Sequence, residues 1–192
     1  SFAMDFETRS RNVSVIFGDG AGAVVLQPAK KEGQGILSTH LHSDGADAEI
    51  LAMFYPGAHA NKWMPEKPGY PDQELGGLFM TTEQLESVAA LPYMDGPAVF
   101  KKAVVKFPEV IKEALSANNL QPEDIDLLVP HQANLRISQY VQQLLKLPDD
   151  KVFNNIQKYG NTTAASVPIA LCEAWEAGKI KEGDLVCLAA FG

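Results

Sequence analysis

From Phe100 onward, apolar residues at helical spacing alternate with short runs that are apolar throughout, and few folds accommodate that alternation. Phe100, Val104, Phe107, Ile111 and Leu115 fall on one face of a helix, which Pro108 is expected to kink or restart. Asp126 to Val129 reads as a short buried strand. Ile137, Tyr140, Val141, Leu144 and Leu145 mark a second amphipathic helix, ended by Pro148. Ala164, Val167, Leu171, Ala174 and Trp175 mark a third, with Gly178 placed as its C-terminal stop. Leu185 to Ala190 is uninterruptedly apolar, the pattern of a strand covered on both faces. Helices alternating with buried strands predict an α/β architecture with a layered sheet.

The first third is less regular. β-branched runs at Val13 to Phe17 and Ala23 to Gln27 flank Gly18-Asp19-Gly20-Ala21-Gly22, predicting two paired strands joined by a glycine turn. A phosphate-binding loop would need a helix after the glycines to supply backbone amides, and a strand pattern ending at Pro28 follows instead. Ile36 to His42 predicts another strand, with His40 and His42 on one face and Asp44 close by. A metal site there is conceivable, but the spacing is nonspecific, and polar residues making local hydrogen bonds are the plainer expectation. Between Ala46 and Pro92 the pattern breaks down under repeated Pro and Gly, with Tyr55, Trp63 and Tyr70 interleaved. Loops this long usually serve as a lid, a binding loop or a partner contact.

Composition removes several function classes. At 192 residues and 46% hydrophobic, the chain can bury one sizeable core, and a single domain is favoured. A formal net charge of -8 argues against general nucleic-acid binding, which needs clustered cations. The longest apolar stretches run to about seven residues, against roughly 20 for a bilayer span, and no leader is visible at residue 1. A cytoplasmic protein is therefore expected. Cys172, in a helical pattern, and Cys187, in a strand pattern, form neither a disulfide framework nor a metal spacing and read as buried free thiols. Neither sits in a convincing nucleophile setting: Cys172 is not at a helix N-terminus, and an apolar run would raise the pKa of Cys187.

Two polar motifs stand where apolar runs give way to helix starts: Pro130-His131-Gln132-Ala133-Asn134 and Gly160-Asn161-Thr162-Thr163-Ala164-Ala165-Ser166. Open α/β sheets place ligands at strand ends. An imidazole N–H from His131 and an amide N–H from Asn161 could converge there on a developing enolate oxygen. Each donor of that kind is typically worth roughly a hundredfold to a thousandfold in rate. A hydrogen-bonded structural His and an Asn acting as turn or cap residue are the plainer alternative.

With these motifs in place, the sequence resembles the β-ketoacyl-acyl-carrier-protein synthase III family, condensing enzymes of the thiolase fold that start fatty-acid synthesis. The carrying segments are Phe17 to Ala23, Met94-Asp95-Gly96 with Val99-Phe100-Lys101, Pro130 to Arg136, Gly160 to Pro168, and Ala190-Phe191-Gly192. They are co-linear and span most of the chain apart from 46–92. The resemblance implies a thiolase-like layered α/β fold, here mainly the C-terminal half (28–192, with a Pro/Gly-rich insertion at about 46–92) plus the end of the N-terminal half (1–27).

The resemblance also implies a chemistry. In the family, a cysteine in the N-terminal half takes an acyl group from a coenzyme A thioester. A His and an Asn, matching His131 and Asn161, then stabilise the enolate formed when malonyl-carrier protein loses carbon dioxide. That nucleophile is expected to precede residue 1, so the 192 residues read as a fragment, inactive alone, whose partners include the missing N-terminal segment. Gly96, Phe100, Ala133 and Asn134 would line the pantetheine channel, and Arg11 would lie near the coenzyme A head group. Lys101 and Arg136 match positions that meet the acidic acyl carrier protein. Where some members carry a basic pair after the His motif, this chain has Gln143 and Leu144. No metal or other cofactor is implied beyond the substrates acyl-coenzyme A and malonyl-acyl-carrier protein, and a homodimer is expected. Two alternatives stay open: a non-catalytic thiolase-fold subunit serving as scaffold or binding module, and a related condensing enzyme of specialised lipid synthesis.

Overall fold

The computed structural model describes residues 11–31, 33–53 and 92–192. The chain divides into two compact units, residues 1–17 with 43–99 and residues 18–42 with 100–192. In the first, helix α1 (Arg11–Ser14) is followed by a 3-10 turn at Gly45–Asp47, where Asp44 Oδ1 accepts the Ala46 N–H at 3.1 Å. Strands β1 (Leu51–Ala52) and β2 (Tyr93–Met94) pair antiparallel, Leu51 opposite Met94 and Ala52 opposite Tyr93. This pair ties together the two ends of the Pro- and Gly-rich stretch, of which residues 54–91 lie outside the described residues.

The second unit holds the layered core. Helix α2 (Gly96–Ala117) belongs to it from Phe100 onward, then follow β3 (Leu127–Pro130), α3 (Leu135–Leu145), α4 (Ile156–Tyr159), α5 (Ser166–Glu176) and β4 (Val186–Ala189). β3 and β4 pair in parallel, Leu127 opposite Val186 through Pro130 opposite Ala189. Asp126 starts the pairing by accepting the Leu185 N–H on its carboxylate at 2.8 Å while donating its own N–H to the Leu185 carbonyl at 3.0 Å. Period-two geometry sends successive β3 side chains to opposite faces. Leu128 joins Ala103, Phe107, Ile111 and Leu115 of α2 and Ile137, Val141 and Leu145 of α3. Leu127 and Val129 pack instead with Ala170 and Ala174 of α5. A strand buried on both faces needs apolar residues at every position, which explains why Leu127 to Pro130 reads as a continuous run.

Several expectations are corrected. α2 is a single helix of 22 residues that runs through Pro108 without a restart. Pro108 removes one backbone donor, but it is buried with Phe107 and Ile111, and packing holds the helix together across the gap. α3 stops at Leu145, ahead of Pro148, because Lys146 adopts a left-handed conformation (φ 55°) and its N–H turns back to the carbonyls of Gln142 and Gln143. Tyr140 and Leu144 on α3, and Trp175 on α5, are exposed and belong to no core face. Gly178 does end α5 as expected, at φ 66°, with the Lys179 N–H closing on the Ala174 carbonyl. β4 is covered less than its sequence implies, since Leu188 is exposed.

The larger correction concerns residues 13–42. Val13 and Ser14 lie in or beside a helical turn, and neither 23–27 nor 36–42 is a strand. Val24, Val25, Leu26, Ile36 and Leu41 are exposed. A strand needs a neighbour for its N–H and C=O groups, and among the described residues no strand pairs with 23–27 or 36–42.

Candidate functional site

His131 leaves the end of β3 with its N–H on the Ala189 carbonyl at 2.7 Å, so the parallel pair itself sets where the imidazole starts. Its Nδ1 lies 2.5 Å from the Ser166 hydroxyl, on the first residue of α5. The same oxygen accepts the Gln132 N–H at 3.2 Å. His131 is only partly exposed, and burial lowers its pKa from the ordinary 6.5, which favours the neutral imidazole.

Gln132, which carried no role in the sequence reading, is the connector beneath this site. It is buried, and its amide nitrogen donates to the carbonyls of Pro130 (2.7 Å) and Phe153 (3.4 Å). Its amide oxygen accepts the N–H groups of Asn155 (2.9 Å) and Ile156 (3.1 Å), the start of α4. One side chain thus ties the His131 turn to the segment that carries Asn161. Glu173 of α5 holds that segment from the other side, accepting from the Tyr159 hydroxyl (2.5 Å), Asn155 Nδ2 (2.9 Å) and Lys158 Nζ (3.2 Å). The Tyr159 bond first, then that from Asn155, pull the Glu173 carboxyl below its usual pKa.

Asn161 is buried and follows Gly160, whose φ of 68° and ψ of -160° are open essentially to glycine alone. The Asn161 Oδ1 accepts the Thr163 N–H at 2.9 Å, which fixes the amide and leaves Nδ2 as its donor end. Thr163 has a positive φ of 53°, an uncommon conformation for a β-branched residue, and strain of this kind concentrates at functional turns. Among the described residues, neither Asn161 Nδ2 nor His131 Nε2 has a hydrogen-bond partner. The 3-10 turn Thr163–Ala165 leads directly from Asn161 into Ser166, which touches His131, so both motifs belong to one hydrogen-bonded assembly.

The glycine segment supports the same turn. A Cβ on Gly18 would sit 1.9 Å from the Tyr159 carbonyl oxygen, one on Gly20 2.8 Å from Ile169 Cδ1, and one on Gly22 2.3 Å from Pro168 Cγ. The Gly18 N–H donates to the Asn161 carbonyl at 3.0 Å. Every second residue must lack a side chain so that this backbone can lie against the Asn161 turn and α5. The sequence signal was the Gly-x-Gly-x-Gly spacing, which reads as a turn until its neighbour is known.

Other candidates fall elsewhere. Lys101, Asn134 and Arg136 are exposed, and Asn134 caps α3 by accepting the Arg136 N–H at 2.9 Å. Phe100 packs against the α2/α3 core cluster, and Ala133 is partly buried. Gly96 opens α2, where an added Cβ would meet only Met94 Cε at 3.9 Å. Arg11 lies in α1, and its side chain is outside the described residues. His40 and His42 both meet Glu113 of α2, at 3.0 and 2.6 Å. Asp44 instead caps its turn, and among the described residues no group of three or more ligand-type side chains could hold a metal ion. Cys172 is exposed within α5 rather than buried, and burial pushes the Cys187 thiol up to about 11. Among the described residues no helix is long and apolar enough to cross a membrane.

A parallel strand pair between helical layers, with the His131 turn at the end of the strand, places the protein in the α/β class with a thiolase-like layered fold. Solved structures share it: 3-oxoacyl-(acyl carrier protein) synthase III from Pseudomonas aeruginosa PAO1 (TM-score 0.74, 34% identity, 98% of this chain and 50% of that one) is one. The β-ketoacyl-[acyl carrier protein] synthase III of Thermus thermophilus is another (TM-score 0.72, 37% identity, 98% and 51%). Residues 115–192 match the family model for the C-terminal part of 3-oxoacyl-[acyl-carrier-protein] synthase III, and residues 1–45 match the model for 3-oxoacyl-[acyl-carrier-protein] synthase III. Proteins named β-ketoacyl-[acyl-carrier-protein] synthase III from Alkalilimnicola ehrlichii and Rhodospirillum centenum are 44% and 43% identical over 95% and 100% of this chain. The chain belongs to the 3-oxoacyl-[acyl-carrier-protein] synthase III family. It spans about half the length of these curated relatives, 49% and 52% respectively.

Proposed function

We propose that these residues form the decarboxylating half of a condensing enzyme that joins an acyl-coenzyme A starter to malonyl-acyl-carrier protein in fatty-acid synthesis. The observation that carries this reading is the pair His131 and Asn161, each tied at one end, Nδ1 to the Ser166 hydroxyl and Oδ1 to the Thr163 N–H, with Nε2 and Nδ2 left without a partner among the described residues. Two such donors converging on the malonyl thioester oxygen would stabilise the enolate left when the carboxylate departs as carbon dioxide. The enolate carbon then attacks an acyl thioester held on a cysteine, expelling the thiolate and forming the β-ketoacyl product. Cys172 and Cys187 are poorly placed for that task, so the nucleophile is assigned to the part of the family's length this chain does not span, and residues 1–192 alone are expected to be inactive.

No metal or organic cofactor is required, because the thioester carbonyl itself takes up the electron pair left by the departing carbon dioxide and the donors absorb the charge. Gly96, Phe100, Ala133 and Asn134 are assigned to the pantetheine channel and Arg11 to the coenzyme A head group. Lys101 and Arg136 supply exposed cations for an acidic carrier protein, in a chain whose net charge would otherwise repel it. The complete enzyme is proposed to be a cytoplasmic homodimer, with residues 1–27 closing its N-terminal half and 28–192 forming the other. The test is malonyl-carrier-protein decarboxylation by the intact protein with His131→Ala or Asn161→Ala. Each is expected to lower the rate by roughly a hundredfold to a thousandfold. Unchanged rates in both variants would defeat the assignment and leave the scaffold reading in its place.

A further inference from the structure

We propose that Ser166 is a positioning residue that fixes His131 as the tautomer carrying its proton on Nε2, by donating its hydroxyl hydrogen to Nδ1. The inference rests on the functional reading above and adds a residue to it. Ser166 is 2% exposed and stands at the start of α5. Among the described residues its hydroxyl oxygen has two partners, the Gln132 N–H and His131 Nδ1. A backbone N–H can only donate, so it occupies a lone pair of the serine oxygen and offers nothing to the hydroxyl hydrogen. The remaining partner, Nδ1, is therefore the acceptor for that hydrogen.

The reverse arrangement fails on the same inventory. Were Nδ1 protonated, it and the Gln132 amide would both donate to one serine oxygen, and a buried hydroxyl hydrogen would be left with no acceptor. Nε2 would then carry a lone pair, the wrong polarity for an oxygen that is gaining negative charge. The Gln132–Ser166–His131 chain thus converts a backbone amide at the end of β3 into a decision about which imidazole nitrogen can donate. Asn161 is handled in parallel, its oxygen engaged by the Thr163 N–H so that its nitrogen is the end left to donate. In each motif a backbone amide sets the polarity of the donor, directly for Asn161 and through one serine for His131.

The test is a 15N spectrum of the intact protein with labelled histidine, His131 being assigned by difference with His131→Gln. The expected result is a pyrrole-like Nε2 and a pyridine-like Nδ1 in the native protein. Ser166→Ala is expected to move both resonances toward tautomeric averaging and to lower kcat for malonyl decarboxylation by on the order of tenfold with little change in KM. Ser166→Thr, which keeps the hydroxyl, should restore both. A protonated Nδ1 in the native protein overturns the proposal without any variant having to fold. A Ser166→Ala protein with native resonances and native kcat overturns it as well. The spectrum needs no turnover, so a protein that shows the expected tautomer but never decarboxylates malonyl thioester would refute the proposed reaction and leave the role of Ser166 standing.

Discussion

Two apolar runs in this chain end in opposite surroundings. Leu127, Leu128 and Val129 are 1%, 0% and 0% exposed, whereas Val24, Val25 and Leu26 are 65%, 93% and 74% exposed. Both are rich in residues that favour strands. The first has β4 alongside, α2 and α3 against one face and α5 against the other, so its backbone groups and its side chains are both satisfied. The second has no paired strand among the described residues, although the glycines just before it are pressed against the Asn161 turn. A β-prone run is a row of donors and acceptors that becomes a strand only when a neighbour supplies the complementary row.

The largest expected effect tests the buried member of this comparison. Leu128→Ala should lower stability by about 2–5 kcal/mol, measured as a fall in denaturant midpoint, because the cavity opens between two helices and the sheet. Val25→Ala should stay within about 0.5 kcal/mol of the native protein. A comparable loss at both positions would mean that 24–26 is covered in solution. Gly18→Ala comes next and separates the glycine turn from the run that follows it. The new methyl collides with the Tyr159 carbonyl, so the decarboxylation proposed for the intact protein should fall about tenfold or more through displacement of Asn161, with stability reduced by about 1–3 kcal/mol.

The pH dependence sharpens the comparison at the site itself. Burial holds the His131 pKa below 6.5, so the unfolded chain binds a proton that the folded protein resists. Its contribution to stability is fully present above 6.5 and is lost as pH falls from there through the lower folded value. A native protein whose midpoint declines over that window, and a His131→Gln variant whose decline is shallower, are the expected titration curves. The last test concerns the thiols, whose labelling leaves stability and turnover untouched. With a neutral alkylating reagent near pH 8, Cys187 should react at least about a hundredfold more slowly than an ordinary thiol, since its pKa rises from 9.0 to about 11. Cys172, exposed on α5, should label first. Rapid labelling of both would indicate that the Cys187 side of β4 opens readily.

The helices and the central strand were legible because their signals are local. Phe107, Ile111 and Leu115 repeat at helical spacing whatever surrounds them, and Gly178 ends a helix by its own conformational freedom. His131 and Asn161 were legible as motifs. What joins them was not, because Gln132 and Ser166 look like ordinary polar residues until Gln132 is seen bridging Pro130 and Phe153 to α4 and Ser166 is seen on Nδ1. Likewise Tyr140, Leu144 and Trp175 satisfy an amphipathic pattern by type, yet which side of a helix is covered depends on what packs there.

The sequence by itself determined the α/β alternation, the helix stop at Gly178 and the two polar motifs, since each follows from backbone preference and side-chain period within a few residues. Tertiary structure alone decided that Val24 to Leu26 finds no partner strand among the described residues, that three glycines yield to the Asn161 turn, and that His131 Nδ1 meets a serine 35 residues away. Those outcomes depend on contacts between residues far apart in sequence, where the free energy of burial or hydrogen bonding belongs to the pair and to neither residue alone.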